Sequence, residues 1–348
     1  MNSIRVPDGG WEMAIRTEDR IAADSEPEDG RDKYPLVSVV ISNYNGANYL
    51  QRCLSSLLNS DYPRVEIVVV DAGSTDGSVE IIRGSFPEVR LFEAKGAGIA
   101  TALNIGIRRS RGELLLLDFN SDEFASPMFL RILVDALQSR DEIGAVGGTR
   151  LQDGGQGIID SMGGKVYLFG FYPRYGHGEK YTSVSHKPFE VDYLGHMLVR
   201  RHTLDRVGLF DEDFFIYGED TDFCIRLKKP GYKVVQVPSA TTQHAGSGTV
   251  GSHSPRYVYY NERAHIQLIL KHCPLPLIPI GAAWTALIVG IYLGCQFRVF
   301  RKALSRTRLS YMARRGSPAH LLAVLQAIGW NIERLAQTFA TRRRAASK

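Results

Sequence analysis

The sequence predicts an α/β domain on a mostly parallel sheet, with helices on both faces. Two observations predict it. Short runs of β-branched residues or leucine carry almost no charge, as strands buried on both faces do. Each run ends in a polar turn, and a segment whose apolar residues keep helical spacing comes next.

Residues 37–41 (VSVVI) read as the first buried strand and end at the turn 42–46 (SNYNG). Asn48 is placed to cap the next helix, where Leu50, Leu54, Leu57 and Leu58 keep helical spacing until 61–63 (DYP) breaks it. Residues 65–70 (VEIVVV) form the second strand, ending in 71–77 (DAGSTDG), and a helix runs through Val79, Ile81 and Ile82. A strand near 89–92, a Gly-rich turn at 95–98 and a helix over 99–109 follow. Residues 114–117 (LLLL) are the third apolar strand, ending at 118–123 (DFNSDE). Ser126 and Pro127 suit the N-cap and first position of a helix over 127–138. Ligands bind such sheets outside the carboxyl ends of the strands, so the turns 42–46, 71–77 and 118–123 mark the expected site.

From about Ala145 the rhythm changes. Residues 147–178 are rich in glycine and aromatics and predict a loop-rich, mixed-sheet half forming a second wall of a cleft. A strand over 191–200, a helix over 201–207 stopped by Gly208, a helix after Gly218, a strand over 234–237 and a loop carrying His244 complete it. Four segments result. They are a polar mobile tail (1–34) without the apolar core of a signal peptide, a nucleotide-binding half (35–145), a second half (146–273), and an apolar, basic C-terminal segment (274–348).

The 348 residues are 44% hydrophobic and 23% charged, which suits one large domain or two smaller ones. The net charge of +5 is uneven: from Arg298 onward Glu333 is the only acid. Cys53, Cys224, Cys273 and Cys295 show neither CxxC pairing nor metal-ligand spacing, which predicts reduced, mostly buried thiols in a cytosolic compartment. Residues 275–297 carry no charge, are long enough to span a bilayer, and precede Arg298, Arg301 and Lys302. Pro276, Pro279 and Gly281 weaken a full-length helix there. A second candidate, 320–341, is amphipathic, with Glu333 and Arg334 inside. A single span would set the basic C-terminus opposite the N-terminal domain, against the positive-inside rule; a re-entrant or interfacial hairpin, or two tilted segments, keeps both on one side. The alternative is a core helix of a soluble protein.

The stretch 208–231 (GLFDEDFFIYGEDTDFCIRLKKPG) carries the sharpest chemical signal. Asp220, Phe223, Cys224 and Leu227 fall at i, i+3, i+4 and i+7, which puts Asp220 on the apolar stripe. Glu219, Asp222, Arg226 and Lys229 face the other way and read as helix-end chemistry. An inward carboxylate is costly unless it is paired or working, so Asp220 is a candidate catalytic residue. In 118–123, Asp118, Asn120 and Asp122 offer ligands for Mg²⁺ or Mn²⁺ holding a phosphate; an acidic turn with Asx hydrogen bonds is the alternative. Asp71 is placed to accept a base N–H or a ribose hydroxyl, whereas Asp76 reads as a helix cap. For His244 a ligand role and an ordinary packing role both stand.

Four stretches together resemble the family 2 glycosyltransferases over roughly residues 36–273: VSVVISNYNG, VVVDAGSTDGS, GAGIATALNIGIRRSRGELLLLDFNSDEFASP, and the run from VDYLGHMLVRR to TTQHAG. The similarity is greatest to rhamnosyltransferase-like and galactofuranosyltransferase-like members that extend cell-surface glycans. It implies a GT-A fold with C-terminal membrane-associating helices and an inverting, metal-dependent transfer from a nucleotide-diphospho-sugar. The implied acceptor is a lipid-linked or glycan hydroxyl at the cytoplasmic side of the cell membrane, with no nucleic acid among the partners. Asp220 then matches the catalytic base, with Glu219 beside it. Ser42, Asn43, Tyr44, Asn45, Asp71, Gly73, Ser74, Asn104, Asp118 and Asn120 match donor-binding positions. Asn120, Asp122 and His244 match metal-side positions, and Gly195, His196 and Glu219 acceptor-side ones. Three positions depart from the pattern. Ala72 stands where the family has Asn or Asp, and His196 replaces a small residue. The spacing from Gly112 is one residue long, which makes Asp118 an alternative first metal-side acid, while Pro127 favours the Asn120–Asp122 register. A nucleotidyltransferase would want a basic turn after the first strand, and 42–46 has no Lys or Arg. A non-catalytic nucleotide-sugar- or glycan-binding relative is the other rival; the intact acids Asp71, Asp122 and Asp220 speak against it.

Overall fold

The computed structural model describes residues 34–167, 173–246, 254–297, 300, 302 and 317–346. The predicted tail before Tyr34, part of the glycine- and aromatic-rich loop, and Arg298 and Arg301 of the predicted basic flank lie outside them.

Ten strands form one sheet. They are β1 (Val37–Asn43), β2 (Val65–Asp71), β3 (Arg90–Glu93), β4 (Leu114–Asn120), β5 (Glu123–Ala125), β6 (Ile143–Gln152), β7 (Ile159–Ser161), β8 (Phe189–Glu190), β9 (Met197–Arg200) and β10 (Lys233–His244). The order is β3-β2-β1-β4-β9-β6-β10-β5, with β7 on β6 and β8 on β10. The first four neighbours pair in parallel. Beyond them β9 runs antiparallel to both β4 and β6, and β6 pairs in parallel with β10. The first half is the predicted parallel sheet and the second is mixed.

Alternation along the strands feeds two cores. Val37, Val39, Ile41, Leu114 and Leu116 face α1 (Ala47–Leu58), α2 (Ser78–Ser85) and α4 (Phe129–Gln138). Val40, Leu115 and Leu117 face α3 (Ile99–Arg109) and, through Phe223, Cys224 and Leu227, α6 (Glu219–Lys228). The short α5 (Thr203–Val207) follows β9.

Several expected boundaries move. Helix α1 begins at Ala47 behind Gly46, so Asn48 lies inside its first turn and does not cap it. Helix α4 begins at Phe129; Ser126 holds it through the Phe129 N–H to Ser126 O bond of 3.0 Å, and Pro127 stays in the turn. The strand expected over 191–200 shortens to Met197–Arg200, because only that part finds ladders on β4 and β6. Strand β10 continues past Val237 to His244, since its second half pairs with both β5 and β6; His244 closes a strand and does not ride a loop.

Beyond the sheet come α7 (Pro255–His272), α8 (Ile278–Gly294), α9 (Pro318–Glu333) and α10 (Leu335–Ala346). The predicted helix 320–341 is two helices meeting at Arg334. Pro276 and Pro279 do not interrupt α8: they fall in the short turn before it and in its first turn, where proline is tolerated. Leu275–Gly294 is long and apolar enough to cross a membrane by length and composition, and Leu275, Ile280, Leu287 and Leu293 are exposed on it.

Candidate active site

The carboxyl ends of β2, β1 and β4 lie side by side. Asn43 is level with Asp71, and Ser42 with Asn120. Between Val39 and Ile41 the β1–β4 register shifts, because β4 spends three steps (Leu116 to Phe119) where β1 spends two. One extra residue is therefore absorbed as a bulge, and Asp118 within it has a left-handed φ of +58°. The spacing that looked one residue long is taken up inside the strand, which leaves Asn120 and Asp122 at the strand end.

Around this bulge is a nearly continuous set of charges. Arg150 on β6 crosses the site. Its Nη2 lies 2.9 Å from Glu123 Oε2 and donates to the Asp118 carbonyl at 2.9 Å. A Cβ at position 195 would stand 2.3 Å from Arg150 Nη1. Gly195, expected on the acceptor side, is the gap through which Arg150 passes. Glu123 is fully buried and also accepts from Thr242 Oγ1 at 2.6 Å. Burial raises its pKa, but Arg150 and His196 outweigh burial and hold it well below the carboxylate range.

His196, expected to meet acceptor, is 2% exposed. Its Nδ1 lies 2.5 Å from Glu123 Oε1, and its Nε2 accepts the Gly148 N–H at 3.0 Å. Both ring nitrogens are engaged, and burial lowers the ring's pKa against the opposing pull of Glu123. The acceptor role is corrected to a buried support for Glu123.

Asp122 and His244 come together at 3.5 Å, and the other His244 nitrogen pairs with Asp160 at 3.0 Å. Burial lowers the His244 pKa, but the bonds to the two aspartates raise it to about 9. Asp160, which also binds Arg174 at 2.7 Å, carried no sequence signal, because it sits on β7 with no motif around it. Among the described residues no three His, Cys, Asp or Glu side chains converge on one point as a complete metal cage. A magnesium or manganese ion shared with a diphosphate needs only one or two protein carboxylates, and Asp122, two residues from Asn120 and facing a His244 ring held by Asp160, fits that requirement.

Two expected donor contacts are used up internally. The Asp71 carboxylate takes four donors: Asn43 Nδ2 (2.7 Å), Gly73 N (2.9 Å), Ser74 N (2.8 Å) and Ser74 Oγ (2.6 Å). That fills its acceptor capacity and makes Asp71 the organiser of the β2 loop. Asn104 is corrected more sharply. It is 1% exposed, donates to Phe210 O (2.9 Å) and Glu212 Oε1 (2.9 Å), and accepts from Phe210 N (2.9 Å). Its amide ties α3 to the loop before α6 and has nothing left for donor. Asn45, with φ of +51°, accepts from Thr75 N at 2.9 Å and joins the two loops, while Tyr44 stays exposed above them. Gly77, not Asp76, is the N-cap of α2; Asp76 stands one residue before it and accepts from Ser78 N (3.1 Å) and also from Ala47 N (2.8 Å), serving the starts of two helices.

Helix α6 brings its acids to the same place. Tyr217 and Gly218 both have left-handed φ, +68° and +83°, and this turn aims the helix N-terminus at the strand ends. Glu219 is 4% exposed, and its Oε2 has no hydrogen-bond partner. Asp220 is partly exposed, and its Oδ1 accepts from Thr221 N at 2.6 Å. Burial and the neighbouring Asp220 push Glu219 up. Burial also raises Asp220, against the opposing Thr221 bonds and Arg150. Burial first, then Glu219 and Asp220, raise Asp118, so the three acids face one another across the cleft.

The expected division of the helix faces is reversed for Asp222. It is fully buried, with Lys271 Nζ at 2.5 Å, His272 Nε2 at 2.8 Å and Arg226 Nε at 2.7 Å. Helix α7 covers the face that sequence assigned to solvent.

The comparisons with known proteins follow this geometry. The profile of "Glycosyl transferase family 2" matches residues 38–203. An N-acetylglucosaminyl-diphospho-decaprenol L-rhamnosyltransferase of Mycobacterium tuberculosis is 30% identical over 261 residues, which is 66% of this chain and 85% of that protein. The chain is a family 2 glycosyltransferase. The glycosyltransferase also shares its fold with solved structures. One is a mannosyltransferase from Pyrobaculum calidifontis in complex with GDP-Man and Mn²⁺, with TM-score 0.53 and 21% identity over 86% of this chain and 88% of that one. Another is S. aureus TarS 1-349 in complex with UDP-GlcNAc, with TM-score 0.51 and 18% identity over 86% of this chain and 81% of that one. The strand-end location of the glycosyltransferase's acids agrees with the α/β site rule.

Proposed function

We propose that the enzyme catalyses inverting, metal-dependent transfer of a sugar from a nucleotide-diphospho-sugar to a hydroxyl of a lipid-linked or cell-surface glycan acceptor. The observation that carries this reading is the Glu219–Asp220 pair aimed at the strand ends where Asp122 and His244 meet: Glu219 is buried with Oε2 unpartnered, and Asp220 beside it is partly open to the cleft. Two adjacent carboxyl groups in so dry a place do not both ionise readily. The Thr221 N–H stabilises charge on Asp220, whereas Glu219 Oε2 has no donor, so the proton resides on Glu219 and Asp220 is the base. Asp220 takes the acceptor hydroxyl proton as that oxygen attacks the anomeric carbon in line. Attack on the face opposite the leaving diphosphate inverts the centre. The Ser42–Asn45 and Asp71–Ser74 loops, locked to each other by Asn43, Asn45 and Ser74, cradle the donor nucleotide. Mg²⁺ or Mn²⁺ would be held by Asp122 with Asn120, and by His244 Nε2 only once the ion takes the place of its proton, and when bound supplies charge stabilisation for the leaving diphosphate. The exposed apolar α8 and the diphospho-decaprenol named for the rhamnosyltransferase relative support work at a membrane, and we place it at the cytoplasmic face.

A panel of nucleotide-diphospho-sugars incubated with the protein should show enzyme-dependent release of nucleoside diphosphate for one of them. Release from none, with acceptor extracts present, would sink the reading. With that donor, EDTA is expected to reduce turnover to background and Mn²⁺ or Mg²⁺ to restore it. Full turnover in chelator would remove the metal from the mechanism.

Arg150 supplies the positive charge that favours the ionised form of all three cleft acids. Replacing it by Met should move the acid limb of the kcat profile up by ~1 pH unit, equivalent to about 1.4 kcal/mol. An unmoved limb in a folded variant would show that Arg150 only packs.

A further inference from the structure

A groove of about 750 Å³ lies between α7 and α9 and has no part in the donor site. The two helices run side by side in the same direction: Val258 packs with Ala323 and Val324, and further along both, Asn331 Nδ2 donates to Arg263 O at 3.2 Å. Its α9 wall, from Ala319 to Glu333, is about 21 Å long at helical rise. Along that wall are Leu322, Ala323, Gly329 and Trp330; on the α7 side are Arg256, Tyr259 and Tyr260.

Three features say what would lie there. First, the groove is joined to the catalytic loop by aromatic contact. Tyr260 stacks on Phe215 at 5.2 Å and 14°, and Tyr257, next to Arg256, meets Tyr217 at 5.3 Å; Tyr217 is two residues before Glu219. Second, the mouth nearest the catalytic loop carries a free-standing cation: Arg256 is exposed at the α7 N-terminal end, 5.9 Å from the Tyr260 ring, whereas at the far end Arg263 and Arg334 are engaged on Trp330 beside the acid Glu333. Third, its floor opens onto unpartnered apolar surface: Leu322 is 55% exposed and Leu325 48%. Trp330 carries cation–π contacts from Arg263 at 3.6 Å and Arg334 at 4.4 Å, which favour the ring position that walls the groove. A cation at an aromatic mouth, followed by an apolar channel, is complementary to an anionic head on a long hydrocarbon.

We propose that the groove between α7 and α9 binds the lipid phosphate or diphosphate end of the acceptor, with the phosphate at Arg256 and the hydrocarbon along Leu322 and Ala323. The acceptor sugar then reaches Asp220 past Tyr260 and Phe215. This deepens the transferase reading and rests on it for the sugar, but lipid binding is measurable without donor or turnover.

The test uses the full chain in detergent micelles with Trp11→Phe and Trp284→Phe, leaving Trp330 as the fluorophore. A long-chain polyprenyl phosphate should change Trp330 emission saturably, and Arg256→Glu should weaken that titration at least tenfold. A Cβ at position 329 meets nothing within 4 Å, so Gly329→Phe fills the groove without a clash at its root and should abolish the titration with melting unchanged. No response to polyprenyl phosphate, an equal response to phosphatidylglycerol, or wild-type binding by either variant would overturn the proposal. Lipid binding without nucleotide-sugar turnover would instead overturn the transferase reading alone.

Discussion

Asp220→Asn is expected to bind the donor as the wild type does and to lose transfer by at least about 10²–10⁴-fold, the range of general-base catalysis. The amide keeps the size of the side chain and its bond to the Thr221 N–H through the retained oxygen, but it cannot take a proton. Isothermal titration with the nucleotide-sugar separates the two effects. Near-normal turnover would remove Asp220 as the base. The pH profile adds a second reading. Burial raises Asp220 to about 6, and only its ionised form accepts a proton, so turnover should fall as the pH drops through that value. An acid limb near 4 would place the working carboxylate elsewhere. Glu219→Gln keeps a neutral, hydrogen-bonding side chain at 219 and should leave much more activity than Asp220→Asn, because Glu219 already holds the proton in this assignment.

Asp222→Ala should be the most destabilising single change on α6. It leaves Lys271, which is 4% exposed, with only Asp211 at 2.6 Å, and leaves Arg226 and His272 without their carboxylate. Removing one partner of a buried ion pair costs about 3–5 kcal/mol. For a chain of this size that is a fall in melting temperature on the order of 10 °C. A calorimetric shift below about 2 °C, well short of that estimate, would show that the cluster contributes little. The sign of the pH effect is fixed. Burial opposes the charge on Asp222, but Lys271 and Arg226 outweigh burial and hold its folded pKa well below the ordinary value. Its stabilisation is therefore present above the unfolded carboxylate value of about 3.9 and is lost as the pH falls below it toward the folded value. Asp222→Leu combined with Lys271→Met should lose less than Asp222→Ala, since it removes one of the three stranded bases and fills the space, but Arg226 and His272 still lack their carboxylate.

The parallel half of the sheet was legible because its strands are uninterrupted apolar runs with polar ends, and the order of elements through α4 follows from them. The acids at those ends were legible as a group. Their individual jobs were not, since a job depends on what stands across a gap. Asp71 has the motif of a ligand-binding acid, yet four donors from its own and the neighbouring strand-end loop occupy it. Asp222 has the spacing of a surface residue, and only the packing of α7, more than 30 residues later, makes it a core residue. Arg150 gave no signal because its partners, Asp118, Glu123 and the space at Gly195, lie on β4, on β5 and in the bend before β9. The left-handed Asp118 explains the one spacing that looked wrong, but a bulge leaves no mark in a single sequence.

The packing of the last helices bears on how the protein can be shortened. Arg342 Nη1 donates to Leu270 O at 2.9 Å, Gln337 Nε2 to Asp213 Oδ2 at 3.2 Å, and Asn331 to Arg263 O at 3.2 Å. These bonds land on α7 and on the loop before α6, the same pieces that enclose Asp222 and aim Asp220. Cutting after Cys273 to obtain a tractable soluble fragment would strip the outer support from α7, uncover Val258, and slacken the helix that holds the base. A chain cut after Cys273 is therefore expected to melt lower than one that extends past residue 342, and solubility is better sought by replacing exposed leucines on α8 than by deletion.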